Sequence, residues 1–244
     1  QAILASALGF QIKGLEGGAV VERIGELIRD GHLIPGKSER LDGHFDLVTT
    51  PVALAMEQQI LDRIDAGAGQ GRSFMPPEQA MARLQDAARE LGQTRAGVDT
   101  WQLNEGQLAA GVAILSGTDR FLNVQGVAGA GKSTLLGALD KVLGQEGVKL
   151  VGLAFQNKMV ADLRGGGQGM SAEQMREAGI EAYTIAKFLS TYGGAAAAGS
   201  GERFEAAKAA LANTVIITDE SSMVSSRDML RLTALAEQLD LAKA

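Results

Sequence analysis

The sequence predicts an α/β protein with a parallel, doubly wound sheet and helices on both faces, behind a small, mainly helical domain. From residue 121 onward, short apolar runs alternate with helical patterns, which is typical of a parallel sheet. One of these runs leads into a glycine-rich loop that opens a helix. Hydrophobic residues make up 45% of the chain, enough for a sizeable core. We place the domain boundary so that 1–75 form an accessory domain and 76–244 carry the sheet.

The accessory domain, residues 1–75, is predicted to contain a helix, a hairpin and a second helix. Apolar residues recur at helical spacing between 19 and 28. Two short strand-like pieces, around 32–35 and 44–49, flank a polar turn at 36–43. This order of elements resembles a winged helix.

The second helix of this domain begins at Thr50-Pro51, because Thr is a favoured N-cap and Pro a favoured first helical residue. A glycine-rich linker is predicted at 67–73. Two further helices, at 77–91 and 103–115, are predicted to precede the sheet.

The sheet region is predicted to alternate strands with helices. The strands are expected at 121–124, 148–155 and 215–218. The helices are expected from the glycine-rich loop to 143, at 158–163 and at 184–192. The glycine- and alanine-rich stretch 193–201 is predicted to be a flexible surface loop.

Composition excludes several functions. The chain of 244 residues has no cysteine, which excludes disulfides and thiolate metal sites, and its net charge of −6 argues against DNA binding through bulk charge. His32 and His44 are expected to be surface or turn residues. No stretch approaches the roughly 20 apolar residues of a membrane span. The apolar start lacks the features of a signal peptide, so we expect a cytoplasmic location and no membrane segment.

The strongest motif is the phosphate-binding pattern Gly126-Val127-Ala128-Gly129-Ala130-Gly131-Lys132-Ser133. A glycine-rich turn lets successive backbone N–H groups converge on phosphates, and the next helix directs its positive end at them. Lys132 is expected to reach the β- and γ-phosphates, and the Ser133 hydroxyl to bind Mg²⁺. The pattern predicts binding of a nucleoside triphosphate.

A second motif is the acidic pair Asp219-Glu220 after the apolar run 215–218. Ligands of open α/β sheets bind at the carboxyl ends of the strands. One carboxylate there can hold Mg²⁺ opposite Ser133, and its neighbour can orient or deprotonate a water molecule. The two motifs together predict a site for nucleotide hydrolysis.

Other nucleotide-binding classes stay open at this point. Asn157-Lys158 is similar to the start of the guanine-reading Asn-Lys-x-Asp motif, but Val160 stands where that motif needs Asp, so ATP is favoured over GTP. Small-molecule kinases usually lack a paired acid beside an apolar strand. They and non-helicase ATPases remain rival classes.

Five segments resemble motifs of the RecD-like branch of superfamily I helicases. They are 103–107 for the Q motif, 126–134 for motif I, 152–158 for motif Ia, 181–189 for a later DNA-contacting motif and 219–223 for motif II. Within that branch the chain resembles the MobF-type conjugative relaxase-helicases of plasmid transfer. The resemblance implies a RecA-like P-loop domain that uses ATP and Mg²⁺ and moves on single-stranded DNA.

The resemblance also implies roles for individual residues. Lys132, Asp219 and Glu220 would be catalytic, and Ser133 and Asp219 would hold the metal. Gln107 would read adenine. The nucleotide would be bound by Gln107, Gly126, Ala128, Gly129, Ala130, Gly131, Lys132, Ser133 and Thr134. DNA would be contacted by Gln156, Lys158 and Thr184, although the usual Ala-Pro-Thr of motif Ia is here Ala-Phe-Gln.

Family members carry a relaxase with a three-histidine metal cluster and a second motor domain with an arginine finger. Neither is recognisable in this sequence, so we expect a fragment that binds nucleotide and hydrolyses it poorly, with the remaining relaxase and helicase domains as its partners. Three hypotheses remain: a helicase motor, another P-loop ATPase or kinase, and a vestigial domain that only holds single-stranded DNA.

Overall fold

The computed structural model describes residues 16–37, 46–97, 100–126, 131–164 and 180–244. Contacts group the chain into two compact units, Gln1–Gln59 and Ile60–Ala244. This division lies earlier in the chain than residue 75, where the sequence predicts the domain boundary. The reason is that the predicted linker makes contacts within the second unit, through backbone hydrogen bonds to residues 118 and 242.

The first unit has the predicted order of helix, hairpin and helix. Helix α1 (Gly17–Arg29) is followed by strands β1 (Ile34–Lys37) and β2 (Asp46–Thr49), which pair antiparallel, and by the start of helix α2 (Pro51–Ala66). The Oγ1 atom of Thr50 accepts the backbone N–H of Ala53 at 3.1 Å, as expected of an N-cap. Residues 38–43 of the predicted turn lie outside the described residues, and so does His44.

The second unit contains a parallel sheet and helices on both of its faces. Its elements are α3 (Pro77–Ala96), α4 (Glu105–Ser116), α5 (Lys132–Gln145), β3 (Lys149–Ala154), α6 (Asn157–Leu163), β4 (Glu181–Thr184), α7 (Ile185–Ala198), α8 (Glu202–Leu211), β5 (Thr214–Thr218) and α9 (Ser226–Gln238). The strand order is β4-β3-β5, and β3 pairs in parallel with both neighbours. Among the described residues, no helix is long and apolar enough to cross a membrane.

Strand β3 shows why the sheet is covered on both sides. Leu150 belongs to a buried cluster that includes residues of α3, α4 and α5. Val151 and Leu153 belong to a second buried cluster, formed with residues of α7, α8 and α9. Because side chains of a strand alternate between faces, a strand buried on both sides needs apolar residues at successive positions. The predicted doubly covered parallel sheet is therefore confirmed.

The predicted strand at 121–124 is wrong as a regular element, since the described residues 121–126 form no strand. This segment instead runs beside the last residues of the chain. The N–H of Ala244 donates to the carbonyl of Arg120 at 2.8 Å, and the N–H of Leu122 donates to Ala244 at 3.4 Å. Lys243 forms a parallel bridge with Val215 of β5.

The predicted flexible loop at 193–201 is also wrong, because helix α7 continues through Ala198. Alanine has the highest helix propensity, and Ala196 is buried against the second cluster. Gly199 then ends the helix in the left-handed conformation, with φ of 66°. Strand β4 was not predicted; its four residues lead directly into α7 and show little periodicity of their own.

Candidate nucleotide site

Helix α5 begins at the end of the glycine-rich loop, and Gly131 is its N-cap. Its φ of 76° lies in the left-handed region that favours glycine. A Cβ atom at this position would also lie 2.3 Å from Nε2 of Gln107. Glycine is therefore required here by both backbone conformation and close packing. Val127, Ala128, Gly129 and Ala130 lie outside the described residues, and Gly126 is exposed just before them.

The side chain of Gln107 joins helix α4 to the start of helix α5. Its Oε1 accepts the N–H of Asn104 at 2.8 Å, and the Asn104 side chain accepts the N–H of Gln107 at 2.9 Å. These two bonds form a capping box. The Nε2 of Gln107 donates to the carbonyl of Gly131 at 3.0 Å. The residue predicted to read adenine thus contacts the phosphate-loop helix directly, and its role toward adenine stays a prediction.

The acidic pair lies where strand β5 ends. The N–H of Asp219 donates to the carbonyl of Leu153 at 2.9 Å, which extends the pairing with β3 by one bond. Glu220 has a left-handed backbone, with φ of 49° and ψ of 50°. This conformation is uncommon for a residue with a side chain and is often found at functional sites. Its N–H donates to Oδ1 of Asp219 at 3.0 Å, which holds the Asp219 carboxylate against the backbone of Glu220.

The two predicted catalytic motifs meet in the fold. The Nζ atom of Lys132, in the first turn of α5, lies 3.4 Å from Oε1 of Glu220. Both side chains are partly exposed, at 41% and 49%. A lysine and a carboxylate in contact, beside the positive end of a helix, form a polar centre that can bind phosphate and accept a proton. Sequence alone places these residues far apart.

The residues available for Mg²⁺ have the chemistry that this ion prefers. Ser133 lies exposed in the first turn of α5, and Asp219 is half-buried at the end of β5. A hydroxyl and a carboxylate are oxygen ligands, and Mg²⁺ in nucleotide sites binds one or two such groups together with phosphates and water. Within the described ranges, no group of three or more His, Cys, Asp or Glu side chains could hold a metal ion.

The predicted DNA-contacting residues lie at the same edge of the sheet as the acidic pair. Ala154 pairs with Thr184, so β3 and β4 end side by side, and Gln156 and Lys158 follow β3 as exposed residues. Phe155 also follows β3 and is 48% exposed. This exposure argues against a role in the core and leaves the ring free to stack on a base.

Thr184 has a structural role that the sequence did not predict. Its Oγ1 accepts the N–H of Lys187 at 3.2 Å and so caps helix α7. The hydroxyl hydrogen can still donate to a phosphate oxygen, because accepting one bond does not use it. The predicted phosphate contact is therefore compatible with the cap.

Arg164 is exposed, and its side chain also contacts strand β4. Its Nε donates to the carbonyl of Ala182 at 3.0 Å, and its guanidinium lies over the Tyr183 ring, 5.9 Å from the ring centre. The Tyr183 hydroxyl donates to Glu181, and this bond raises the pKa of Tyr183. Periodicity could not have found this cluster, because its members come together only through the pairing of β4.

The parallel sheet, the helix opened by Gly131 and the acidic pair at the end of β5 define a RecA-like P-loop domain. The sequence profile of a family described as "AAA domain" matches residues 102–243. This match covers more than half of the chain, and the chain therefore belongs to that family.

Two curated relatives share this region. The chain is 35% identical over 138 residues to the Multifunctional conjugation protein TraI of Escherichia coli strain K12, covering 55% of this chain and 7% of that protein. It is 34% identical over 137 residues to a second Escherichia coli protein of that name, with 54% and 7% covered. The chain thus spans a small part of these relatives. The predicted resemblance to conjugative relaxase-helicases is confirmed.

Proposed function

We propose that this chain is the ATP-binding motor domain of a DNA helicase of conjugative plasmid transfer. In the longer polypeptide it would couple ATP hydrolysis to translocation on single-stranded DNA. The observation that carries the proposal is the contact between Lys132 and Glu220, since it joins the phosphate-binding motif to the acidic motif. The similarity to proteins named for conjugation supports the setting.

The chain's own residues suggest how the site would work. The amides at the start of α5 and the Lys132 ammonium would bind the β- and γ-phosphates. Glu220 would accept a proton from the attacking water, because its carboxylate stands beside the lysine. Mg²⁺, held by Ser133 and Asp219, would neutralise charge on the phosphate oxygens. Gln107 would contact the adenine from helix α4. Its side chain already connects the start of this helix to Gly131.

The DNA strand is proposed to run along the carboxyl edge of the sheet. Exposed polar groups at this edge include Gln156 and Lys158 after β3 and the Thr184 hydroxyl after β4. Phe155 adds an exposed aromatic ring, and such rings stack on bases without regard to sequence. This arrangement suits a protein with net charge −6, since it relies on local contacts rather than on bulk charge.

The proposal is tested by measuring nucleotide and DNA binding of the purified chain. We expect a fluorescent ATP analogue to bind in the presence of Mg²⁺, and an oligothymidine strand to bind with an affinity that changes when a non-hydrolysable analogue is added. We expect slow ATP turnover even with DNA, because the chain has no recognisable arginine finger. Fast DNA-stimulated turnover would contradict that expectation.

The same titration separates the other hypotheses. A kinase would bind nucleotide, ignore DNA and transfer phosphate to a small molecule. A vestigial module would bind DNA with the same affinity whether or not nucleotide is present. Either result would overturn the helicase assignment.

A further inference from the structure

Arg120 is a buried cation that the proposed chemistry does not use. Only 8% of the residue is exposed. Its Nη1 donates to the carbonyls of Ala236 at 3.0 Å and Glu237 at 3.3 Å. Its Nη2 donates to the carbonyl of Gln70 at 3.1 Å and to a carboxylate oxygen of Asp240 at 2.7 Å. The guanidinium therefore joins its own segment to two others, the connector before α3 and the end of helix α9.

The position of Arg120 in the chain gives this contact a consequence for the site. The residue begins the segment 120–126, which leads into the phosphate loop, and helix α9 follows the acidic pair. Regular pairing does not hold that segment in place, since residues 121–126 form no strand and only Leu122 among them shares a backbone bond with Ala244. The side chain of Arg120 adds bonds from the first residue of the segment to helix α9 and to Asp240 after it.

The acceptor Asp240 has a backbone conformation that fits this contact. Its φ is 54°, in the left-handed region that non-glycine residues rarely adopt. Asp240 directly follows the C-cap of α9, a common place for a left-handed residue, and the N–H of Leu241 closes the turn by donating to the carbonyl of Ala236 at 2.9 Å. From this turn the Asp240 carboxylate accepts the charge-assisted bond of the buried guanidinium.

The connector before α3 also contacts Arg120 and the residues just before it. The N–H of Arg120 donates to the carbonyl of Gly67 at 2.9 Å, and the N–H of Gly71 donates to Thr118 at 2.6 Å. A Cβ atom at Gly71 would lie 2.4 Å from the carbonyl oxygen of Asp119. The predicted glycine-rich linker is thus packed against the segment that Arg120 begins.

We propose that Arg120 is a positioning residue for the nucleotide site. It holds the segment before the phosphate loop against the helix after the acidic pair, and so sets the separation of Lys132 and Glu220. The proposal rests on the proposed function, because it concerns affinity for nucleotide. Lysine cannot replace the guanidinium fully, since one ammonium cannot reach four acceptors in the geometry of a planar fork.

The test compares R120Q, R120K and D240N with the wild type. The dissociation constant of a fluorescent ATP analogue is measured with Mg²⁺ at a temperature where circular dichroism shows each variant folded. We expect a tenfold or larger loss of affinity for R120Q, and smaller losses for R120K and D240N. Hydrogen exchange should become faster at residues 121–126 in all three variants.

The matched control is R63Q. Arg63 forms an ion pair with Glu237 of helix α9, the helix that Arg120 also contacts. This ion pair lies at the surface rather than in the interior. Its removal should leave affinity within twofold of the wild type and exchange at 121–126 unchanged. If Arg120 matters only for stability, its substitution will lower the unfolding temperature and leave the affinity of the folded protein unchanged. This result would overturn the proposal.

Two further outcomes are decisive. If R120Q does not fold, D240N decides, because it keeps the guanidinium and removes only the ionic acceptor; wild-type affinity and exchange in D240N would refute the positioning role. If the wild type binds no nucleotide, the proposed function fails. Unchanged exchange at 121–126 in folded R120K would then refute the positioning role separately.

Discussion

The Nζ atom of Lys132 lies 3.4 Å from Oε1 of Glu220, although 88 residues separate them in the chain. The lysine stands in the first turn of a helix, and the glutamate follows a strand of the adjoining sheet. Partly exposed ion pairs contribute at most about 1 kcal/mol to stability. The contact therefore matters mainly for the chemistry that it brings together.

Substitutions at this pair should separate binding from turnover. K132A should weaken nucleotide binding at least tenfold, because the phosphates lose their cation. E220Q should still bind nucleotide, but its turnover rate should fall about 10²–10⁴-fold, because an amide cannot accept the proton. Isothermal titration and a phosphate-release assay measure the two effects. E78Q, an exposed change in the first turn of α3, is the control, and turnover in E220Q equal to that of E78Q would contradict this role.

Alanine in place of Gly131 should damage the site. The left-handed backbone costs a residue with a side chain roughly 1–2 kcal/mol, and the new Cβ would displace the Gln107 amide. We expect lower thermal stability and weaker nucleotide binding. G144A is the matched control, because Gly144 lies exposed in the same helix with nothing within 4 Å of its added Cβ. It should stabilise the protein by about 0.5–1 kcal/mol, and equal behaviour of the two variants would refute the argument.

The two partners of the capping box should differ in their effects. N104A removes the cap and should lower the free energy of unfolding by about 1 kcal/mol, with nucleotide affinity unchanged. Q107A keeps the Asn104 cap but removes the reciprocal bond to the Asn104 N–H and also the bond to Gly131. It should therefore lose affinity as well as stability, as measured by denaturant titration and nucleotide binding. Equal affinity of the two variants would show that the contact with Gly131 is unimportant.

Phe155 should contribute to DNA affinity and little to stability. Stacking on a base is worth about 1–3 kcal/mol, so F155S should weaken binding of oligothymidine about 5- to 150-fold. M81S is the control, since Met81 is a similarly exposed apolar residue, at 50%, on helix α3. Fluorescence anisotropy measures both variants. Equal DNA affinity of F155S and M81S would exclude stacking at this edge.

Lys243 should make stability depend on alkaline pH. The residue is only 1% exposed, and its Nζ donates to the carbonyls of Gly117 and Asp119. Burial lowers the pKa of Lys243 from its ordinary value of 10.5. Above the lowered pKa, the neutral amine keeps its donors and the cost of burying charge disappears.

The sign of this effect follows from proton binding. Between the lowered pKa and 10.5, the unfolded lysine binds more protons than the folded one, so stability rises with pH. The free energy of unfolding of the wild type, minus that of K243M, should therefore increase over this range in denaturant titrations. A difference that is constant or falls with pH would contradict the assignment.

Local sequence determined much of this protein. The phosphate-binding pattern and the acidic pair are short motifs, and each was predicted beside the element that carries it. The N-cap at Thr50 was also predicted, because a cap acts on residues within one turn. Buried strands β3 and β5 were recognisable from continuous apolar runs.

Tertiary structure decided what depends on distant partners. Residues 121–124 resemble a strand in composition, but the structure gives them no strand and places them beside Ala244. Strand β4 forms because β3 pairs with it. The sequence shows Arg120 and Lys243 as ordinary charged residues. Only the fold surrounds them with backbone carbonyls and makes them buried links, because burial is a property of the whole packed chain and not of its local pattern.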